Sequence, residues 1–338
     1  MWSHSCYRKN LNIMRAKKIK SKVLVIGAGT WGTAIANHLA LNNNQVILNS
    51  IENAVIEEIN HTHKNSKYLP NIDLHHNLSA SADFINDVNF VFIVVPSDIC
   101  GAIFKKIASY NFIHNPIFII CSKGFEHQKI MLLSDAFEEI TNNKNYVVLS
   151  GPNFAIEVAK ETPSITTIAA YNKRNANKVI KILNNKNFAA SYFKDPKTAE
   201  ISGIIKNILA IGCGIIDGLE LGVNTKSALL VKGIKEIQLL CKAIKCASDL
   251  ANGAGFGDIF LTCSSTKSRN NSLGVCLAKG IEADKNLTFE GANSAKIIVL
   301  FAQKYNIKLD LCEALSKIIN NRYSKEQISS LLIPIILQ

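Results

Sequence analysis

The chain has 338 residues, 48% of them hydrophobic and 19% charged, with 38 basic against 26 acidic residues and a formal net charge of +12. That length suits two domains with sizeable cores, and the composition excludes a disordered or low-complexity chain. The excess charge is mostly lysine spread along the sequence, with no dense basic patch interleaved with aromatics, which argues against nucleic acid and suits a protein that handles phosphorylated anions.

In chain order, residues 1–21 carry Arg8, Lys9, Arg15, Lys17, Lys18 and Lys20 and no acid. They read as a disordered basic extension, with Met14 a candidate alternative start, because no long amphipathic apolar face marks a targeting segment. The apolar run Val23–Ile26 predicts a buried strand. Gly27, Gly29 and Gly32 follow as G-x-G-x-x-G, and an apolar-periodic helix then runs through Ile35 and Leu39. In the order strand, turn, helix these glycines fit a dinucleotide. Gly27 permits the tight turn, Gly29 lets a pyrophosphate approach the backbone, and Gly32 lets helix and strand pack closely. Further strands are expected at Val46–Leu48, Phe90–Val95, Ile117–Cys121, Val147–Leu149 and Ile165–Ala169, with helices at Ile99–Ala108 and Met131–Ile140. That alternation predicts an α/β, Rossmann-like, doubly wound parallel sheet over residues 22–195. Beyond it the pattern turns helical at Ile201–Ile216, Lys226–Ala243, Ala295–Tyr305 and after Ser324, where Ser324 and Gln327 suit a capping box. Residues 196–338 are therefore expected to form a second, all-helical domain for substrate and catalysis.

No apolar run reaches spanning length on this reading, so no membrane span is expected. Nine cysteines, an odd number without a C-x-x-C, favour reduced thiols in a cytoplasmic protein over disulfides or a metal site.

In doubly wound sheets, ligands sit beyond the carboxyl ends of the strands. The expected strand ends carry Pro96-Ser97, Ser122-Lys123-Gly124 and Ser150-Gly151-Pro152-Asn153-Phe154, among which Lys123 is the single charge. No histidine follows residue 127, so a base in the second half must be lysine, carboxylate or tyrosine. Lys206, paired with Asn207 in the apolar stretch Gly203–Ile211, is the prime candidate, because burial lowers a lysine pKa towards a useful range. The alternative is a lysine that snorkels to the surface. A glycine-rich turn, Asn252–Gly257, leads into Asp258. Arg269, one of five arginines in a lysine-biased chain, lies in a segment of hydroxyls and amides and suits a bidentate phosphate contact.

The motifs GAGTWGTA, Tyr68-Leu69-Pro70, VPS, SKG, LSGPNFAIEVA, the Lys206-Asn207 helix, GLELGVNTK, AGFGD, TCSSTKSRN and Glu290-Gly291 occur in one order over roughly residues 22 to 330. Together they resemble the bacterial-type NAD(P)-dependent glycerol-3-phosphate dehydrogenase family. The resemblance implies reversible reduction of dihydroxyacetone phosphate to sn-glycerol 3-phosphate with NAD or NADP, as the entry to phospholipid synthesis. It implies Lys206 as proton acceptor from the glycerol hydroxyl, Lys123 and Asn207 as groups that orient and polarise the carbonyl, and Asp258 as the anchor of the lysines. Ser268, Arg269 and Asn270 would bind substrate, with Gly151 and Asn153 beside it. Thr30, Trp31, Ala155, Thr288 and Glu290 would touch the dinucleotide together with the three glycines, Lys123 and Arg269. A homodimer is compatible with this reading.

The chain departs from the family pattern in two places. Asn49 and Ile51 stand after the second strand where a tryptophan and an arginine are usual, which removes the charge expected to favour the NADP 2′-phosphate. Asn49 and Ser50 are expected to hydrogen-bond the cofactor there, and Glu52 to repel a phosphate. The segment Thr288–Asn293 also lacks the usual valine and arginine. Two other readings stay open: a different lysine-dependent dehydrogenase acting on a hydroxy acid such as a phosphogluconate, and a non-enzymatic dinucleotide sensor or basic nucleic-acid binder.

Overall fold

The computed structural model describes residues 20–265, 268–284 and 287–338. The expected basic extension lies outside the described residues except for Lys20 and Ser21. In order, the first half comprises β1 (Lys22–Ile26), α1 (Thr30–Leu41), β2 (Gln45–Asn49), α2 (Asn53–Thr62), β3 (Leu78–Ser81), β4 (Phe90–Ile93), α3 (Cys100–Ala108), β5 (Ile117–Ile120), a small hairpin of β6 (Phe125–Glu126) and β7 (Met131–Leu132), α4 (Leu133–Thr141), β8 (Tyr146–Ser150), α5 (Ala155–Ala159), β9 (Ser164–Ala169), α6 (Lys173–Leu183) and β10 (Phe188–Phe193). The second half comprises α7 (Pro196–Gly218), α8 (Gly222–Ala243), α9 (Asp258–Ser264), α10 (Arg269–Lys279), α11 (Glu290–Gln303), α12 (Asp310–Asn320) and α13 (Lys325–Ile336).

Eight strands form one sheet in the order β10-β9-β8-β5-β4-β1-β2-β3. Every expected strand is present, and the central ones are apolar on both faces, as strands covered by helices on two sides must be. The sheet is not wholly parallel, which corrects the sequence expectation. Strand β9 runs antiparallel to β8, and β10 runs parallel to β9. The β8–β9 connection carries only the five-residue helix α5, too short to pack along the sheet as the crossover helix usual between parallel strands. The edge strands β3 (LSAS) and β10 (FAASYF) escaped the sequence reading because small and polar residues, suited to sheet edges, dilute their apolar alternation. Met131 and Leu132, expected to open a helix, instead pair with Phe125 and Glu126, and α4 begins after them.

Helix α7 is the axis of the second half. Asp195 caps it by accepting from the amides of Lys197 and Thr198, and Pro196 occupies its first turn. Nearly all of its 23 residues are buried, so it is apolar all round rather than amphipathic. By length and composition it is long and apolar enough to cross a membrane, with a mean hydropathy of 1.6 over its best window, contrary to the expectation that no run reaches that length. That window is fully buried inside the protein, as in the core helix of a large domain. Helix α10 crosses α7 backbone to backbone. A Cβ on Gly214 would lie 2.0 Å from the Asn271 carbonyl oxygen, and one on Gly274 would lie 2.0 Å from that of Ile211. This approach brings the start of α10 beside the Lys206 region. Ser324 and Gln327 form the expected capping box of α13.

Candidate active site

The glycine turn fits the dinucleotide reading in detail. Gly27 has φ +109°, and a Cβ there would strike the Val94 carbonyl oxygen at 2.3 Å. A Cβ on Gly32 would strike the Gly27 carbonyl oxygen at 1.8 Å, so helix and turn are in direct contact. Nothing lies within 4 Å of a Cβ on Gly29, which leaves open space at the position expected to admit a pyrophosphate. Asn65 holds this turn by donating to the Ala28 carbonyl at 3.1 Å and to Thr33 Oγ1 at 2.8 Å, a contribution the sequence reading missed. Thr30 is exposed at the start of α1, and Trp31 packs half-buried on the sheet core.

The second constellation centres on one carboxylate. Asp258, 1% exposed at the start of α9, accepts from Lys206 Nζ through Oδ1 and from Lys123 Nζ through Oδ2, both at 2.5 Å. Lys206 comes from α7 and Lys123 from the loop after β5, so three distant segments meet at two oxygens. Lys206 also donates to Thr262 Oγ1 at 2.9 Å, and that hydroxyl donates to the Asp258 carbonyl at 2.7 Å. Thr262 was missed as a site residue. The available signal was its spacing, since four residues after Asp258 on a helix it shares a face with the acid.

The two lysines are not equivalent. Burial lowers the Lys206 pKa to about 8, outweighing the attraction of Asp258, and the charge of Lys123 pushes in the same direction. Burial also works against Lys123, but Asp258 overcomes it and the Lys123 pKa rises. Asp258 is pulled below the ordinary carboxylate range because the two lysines outweigh its own burial. Near neutral pH the arrangement holds one permanent cation, one permanent anion and one lysine poised to release its proton. Lys206 is 7% exposed, which excludes the snorkelling alternative.

Around this core, Asn207 donates to Glu290 Oε2 at 3.3 Å. Helix α11 starts close against it, since a Cβ on Gly291 would lie 2.5 Å from the Asn207 carbonyl oxygen. Asn270 Oδ1 accepts from the Gly291 amide at 3.1 Å, and Ser268 caps α10 by accepting from the Asn271 amide. Both residues therefore have positions fixed by helix starts. Arg269 is exposed at the first position of α10. Asn153 donates to the Ile165 carbonyl at 2.9 Å and leaves its buried Oδ1 without a partner, beside Gly151. Ala155 opens α5, and Thr288 is exposed just before α11.

The end of β2 differs from expectation. Asn49 donates to the Ser81 and Ala82 carbonyls at 3.2 and 2.8 Å, tying β2 to the strand beside it. The Ser50 hydroxyl accepts from the Glu52 amide. The Asn49 amide is thus committed within the sheet, whereas the Ser50 hydroxyl keeps its own proton to donate. Ile51 is 96% exposed. Glu52 is held by Lys67 and by the Tyr68 hydroxyl, which lower its pKa, so its charge is already matched.

Comparison with known proteins agrees with this geometry. Residues 22–176 match the model of the NAD-dependent glycerol-3-phosphate dehydrogenase N-terminus, and residues 195–330 match that of its C-terminus. A glycerol-3-phosphate dehydrogenase [NAD(P)+] from Erythrobacter litoralis is 34% identical over 322 residues, which cover 92% of this chain and 96% of that protein. One of the same name from Orientia tsutsugamushi is 35% identical over 310 residues, covering 89% and 94%. The crystal structure of glycerol-3-phosphate dehydrogenase from Coxiella burnetii superposes with a TM-score of 0.86 at 29% identity, covering 92% of this chain and 98% of that one. The glycine turn, the lysine pair on one aspartate and these matches over most of the length place this chain in the NAD-dependent glycerol-3-phosphate dehydrogenase family.

Proposed function

We propose a division of labour for the NAD(P)-dependent interconversion of dihydroxyacetone phosphate and sn-glycerol 3-phosphate that this enzyme carries out. Residues 22–195 hold the dinucleotide, and residues 196–338 supply the groups that bind substrate and move its proton. Lys206 is the proton-transfer residue. In reduction its ammonium gives a proton to the C2 oxygen, and in oxidation its free amine takes the proton from the C2 hydroxyl. The observation that carries this role is a buried lysine with pKa near 8, held on Asp258 and Thr262. Such a group exchanges a proton at working pH without a large driving force in either direction. When bound, the nicotinamide supplies or accepts the hydride at C2.

Lys123 stays charged and polarises the carbonyl oxygen. Asp258 fixes both ammonium groups and so aims Lys206. Asn207, anchored by Glu290, lines the same pocket, with Gly151 and Asn153 on its sheet side. Arg269 faces the substrate phosphate, while Ser268 and Asn270 set the helix start that presents it. Gly27, Gly29, Gly32, Thr30, Trp31, Ala155, Thr288 and Glu290 line the dinucleotide. Ile51 supplies no charge at the end of β2, and Lys67 is engaged by Glu52, which supports a cofactor preference not biased strongly to NADP. The described cysteines are all free thiols, which supports a cytoplasmic setting in which the product serves phospholipid synthesis.

The deciding experiment is oxidation of NADH and of NADPH followed optically with dihydroxyacetone phosphate as acceptor. Turnover with both cofactors is expected. No turnover with this acceptor, but turnover of NAD(P)+ with a phosphogluconate, would overturn the substrate assignment.

A further inference from the structure

Helix α8 ends in a motif whose geometry has a chemical consequence. The amide of Cys246 donates to the carbonyl of Cys241 at 2.9 Å, and the amide of Lys245 donates to that of Lys242 at 3.2 Å. Lys245 is in the left-handed region at φ +57°. This double hydrogen bond is the Schellman ending, which sets the residue just past the helix against the residue one turn inside it. Those two positions usually hold apolar side chains in contact. Here both are cysteines. The 2.9 Å bond also caps the separation of their Cα atoms at about 6.8 Å, within the span a disulfide bridges.

The side chains are aligned as well. Thr198, in the first turn of α7, gives its proton to the Ala247 carbonyl, and its oxygen lies 3.4 Å from Cys246 Sγ and accepts from Cys241 Sγ at 4.0 Å, so one hydroxyl touches both sulfurs. Cys241 is fully buried, and Cys246 is half-buried. The contact between the thiols pushes Cys241 up and Cys246 down, so the outer sulfur is the more acidic of the two. An accessible, more acidic thiol backed by a buried partner is the arrangement of an attacking and a resolving cysteine.

We propose that Cys241 and Cys246 form an oxidisable dithiol whose substrate is hydrogen peroxide and whose product is an intramolecular disulfide closing the end of α8. In the first step the Cys246 sulfur attacks peroxide. The O–O bond breaks, one oxygen stays on sulfur as a sulfenic acid, and the other leaves as water with the thiol proton. In the second step the Cys241 sulfur attacks the Cys246 sulfur. The S–S bond forms, the S–O bond breaks, and hydroxide leaves to combine with the Cys241 proton as a second water. Two thiols are oxidised by two electrons, and one peroxide is reduced to two waters. Because the cross-link joins positions already in contact, it closes without displacing α7. It also spares Cys246 from further oxygenation.

The test is peptide mass mapping of the full-length protein after brief exposure to hydrogen peroxide and quenching with an alkylating agent. Wild type is expected to yield the tryptic peptides 236–242 and 246–267 joined with the loss of two hydrogens, with fragmentation placing the bond on Cys246 rather than Cys263, and to lose the link on treatment with dithiothreitol. Cys241→Ser should instead accumulate oxygen on Cys246. Cys246→Ser should show neither product at these positions, and its unchanged thermal melting would confirm that it is folded. Oxygen on Cys246 of wild type with no cross-link would overturn the proposal, as would a cross-link that involves Cys263 or survives in Cys246→Ser.

Discussion

The lysine pocket and the end of β2 are both places where this protein meets charge, and they are built in opposite ways. In the pocket, Asp258 is 1% exposed and holds two lysines brought by separate elements. At the end of β2, Ile51 is 96% exposed, and the neighbouring Glu52–Lys67 pair is open to solvent. Burial makes each charge in the first region decisive, because removing a buried counter-ion leaves its partner uncompensated. Solvent screening makes the second region adjustable, because exposed pairs contribute little. The proton transfer proposed for this enzyme therefore lies where water is excluded, and the proposed lack of a strong NADP bias lies where water remains.

The largest expected effect tests the pocket directly. Lys206→Met should abolish turnover while leaving NADH binding, measured by fluorescence titration, nearly intact. A variant that retains turnover would remove Lys206 from proton transfer and leave the pocket a structural feature.

Asp258→Asn comes next. It leaves the buried Lys206 without its counter-charge and the part-buried Lys123 with only the more distant Glu290, at a cost of about 3–5 kcal/mol in stability. It also sharpens the pH argument. With Lys206 at about 8, reduction of dihydroxyacetone phosphate needs the protonated amine and should fall as pH rises through 8. Oxidation of glycerol 3-phosphate needs the free amine and should rise through the same window. Asp258 is the charge that holds the Lys206 pKa up, so the variant's profile should move to lower pH in both directions. Profiles of kcat measured both ways in wild type and variant decide this, and an unmoved profile would show that another group sets it.

Arg269→Lys probes the margin of the pocket, where the side chain is exposed. A point charge cannot reproduce a planar two-pronged phosphate contact, so about 1.5–3 kcal/mol of binding should go, roughly a tenfold or greater rise in substrate KM. An unchanged KM would return Arg269 to the surface.

The smallest effect is expected at β2. Ile51→Arg adds one exposed guanidinium and should improve kcat/KM for NADPH relative to NADH only several-fold, about 1 kcal/mol after screening. Combining it with Glu52→Gln, which frees Lys67, should enlarge the shift. Strong NADPH preference already present in wild type would mean that another cation reads the 2′-phosphate.

Much of this molecule was determined locally. The glycine turn follows from Gly27, which needs its positive φ, and from Gly32, whose missing side chain lets α1 touch the turn. The central strands follow from runs apolar on both faces, and the importance of Lys206 follows from a single charge in the apolar stretch Gly203–Ile211. Each of these is a short-range constraint, legible because few residue types satisfy it. What only the tertiary structure decided depends on partners far apart in the chain. Asp258 is shared by lysines 52 and 135 residues away, and this sharing splits their pKa values in opposite directions. The direction of β9 shows only in its antiparallel pairing with β8, and the neutralisation of Glu52 depends on a loop folding back with Lys67 and Tyr68. Burial and Coulomb energies depend on distance in space, and a sequence records only distance along the chain.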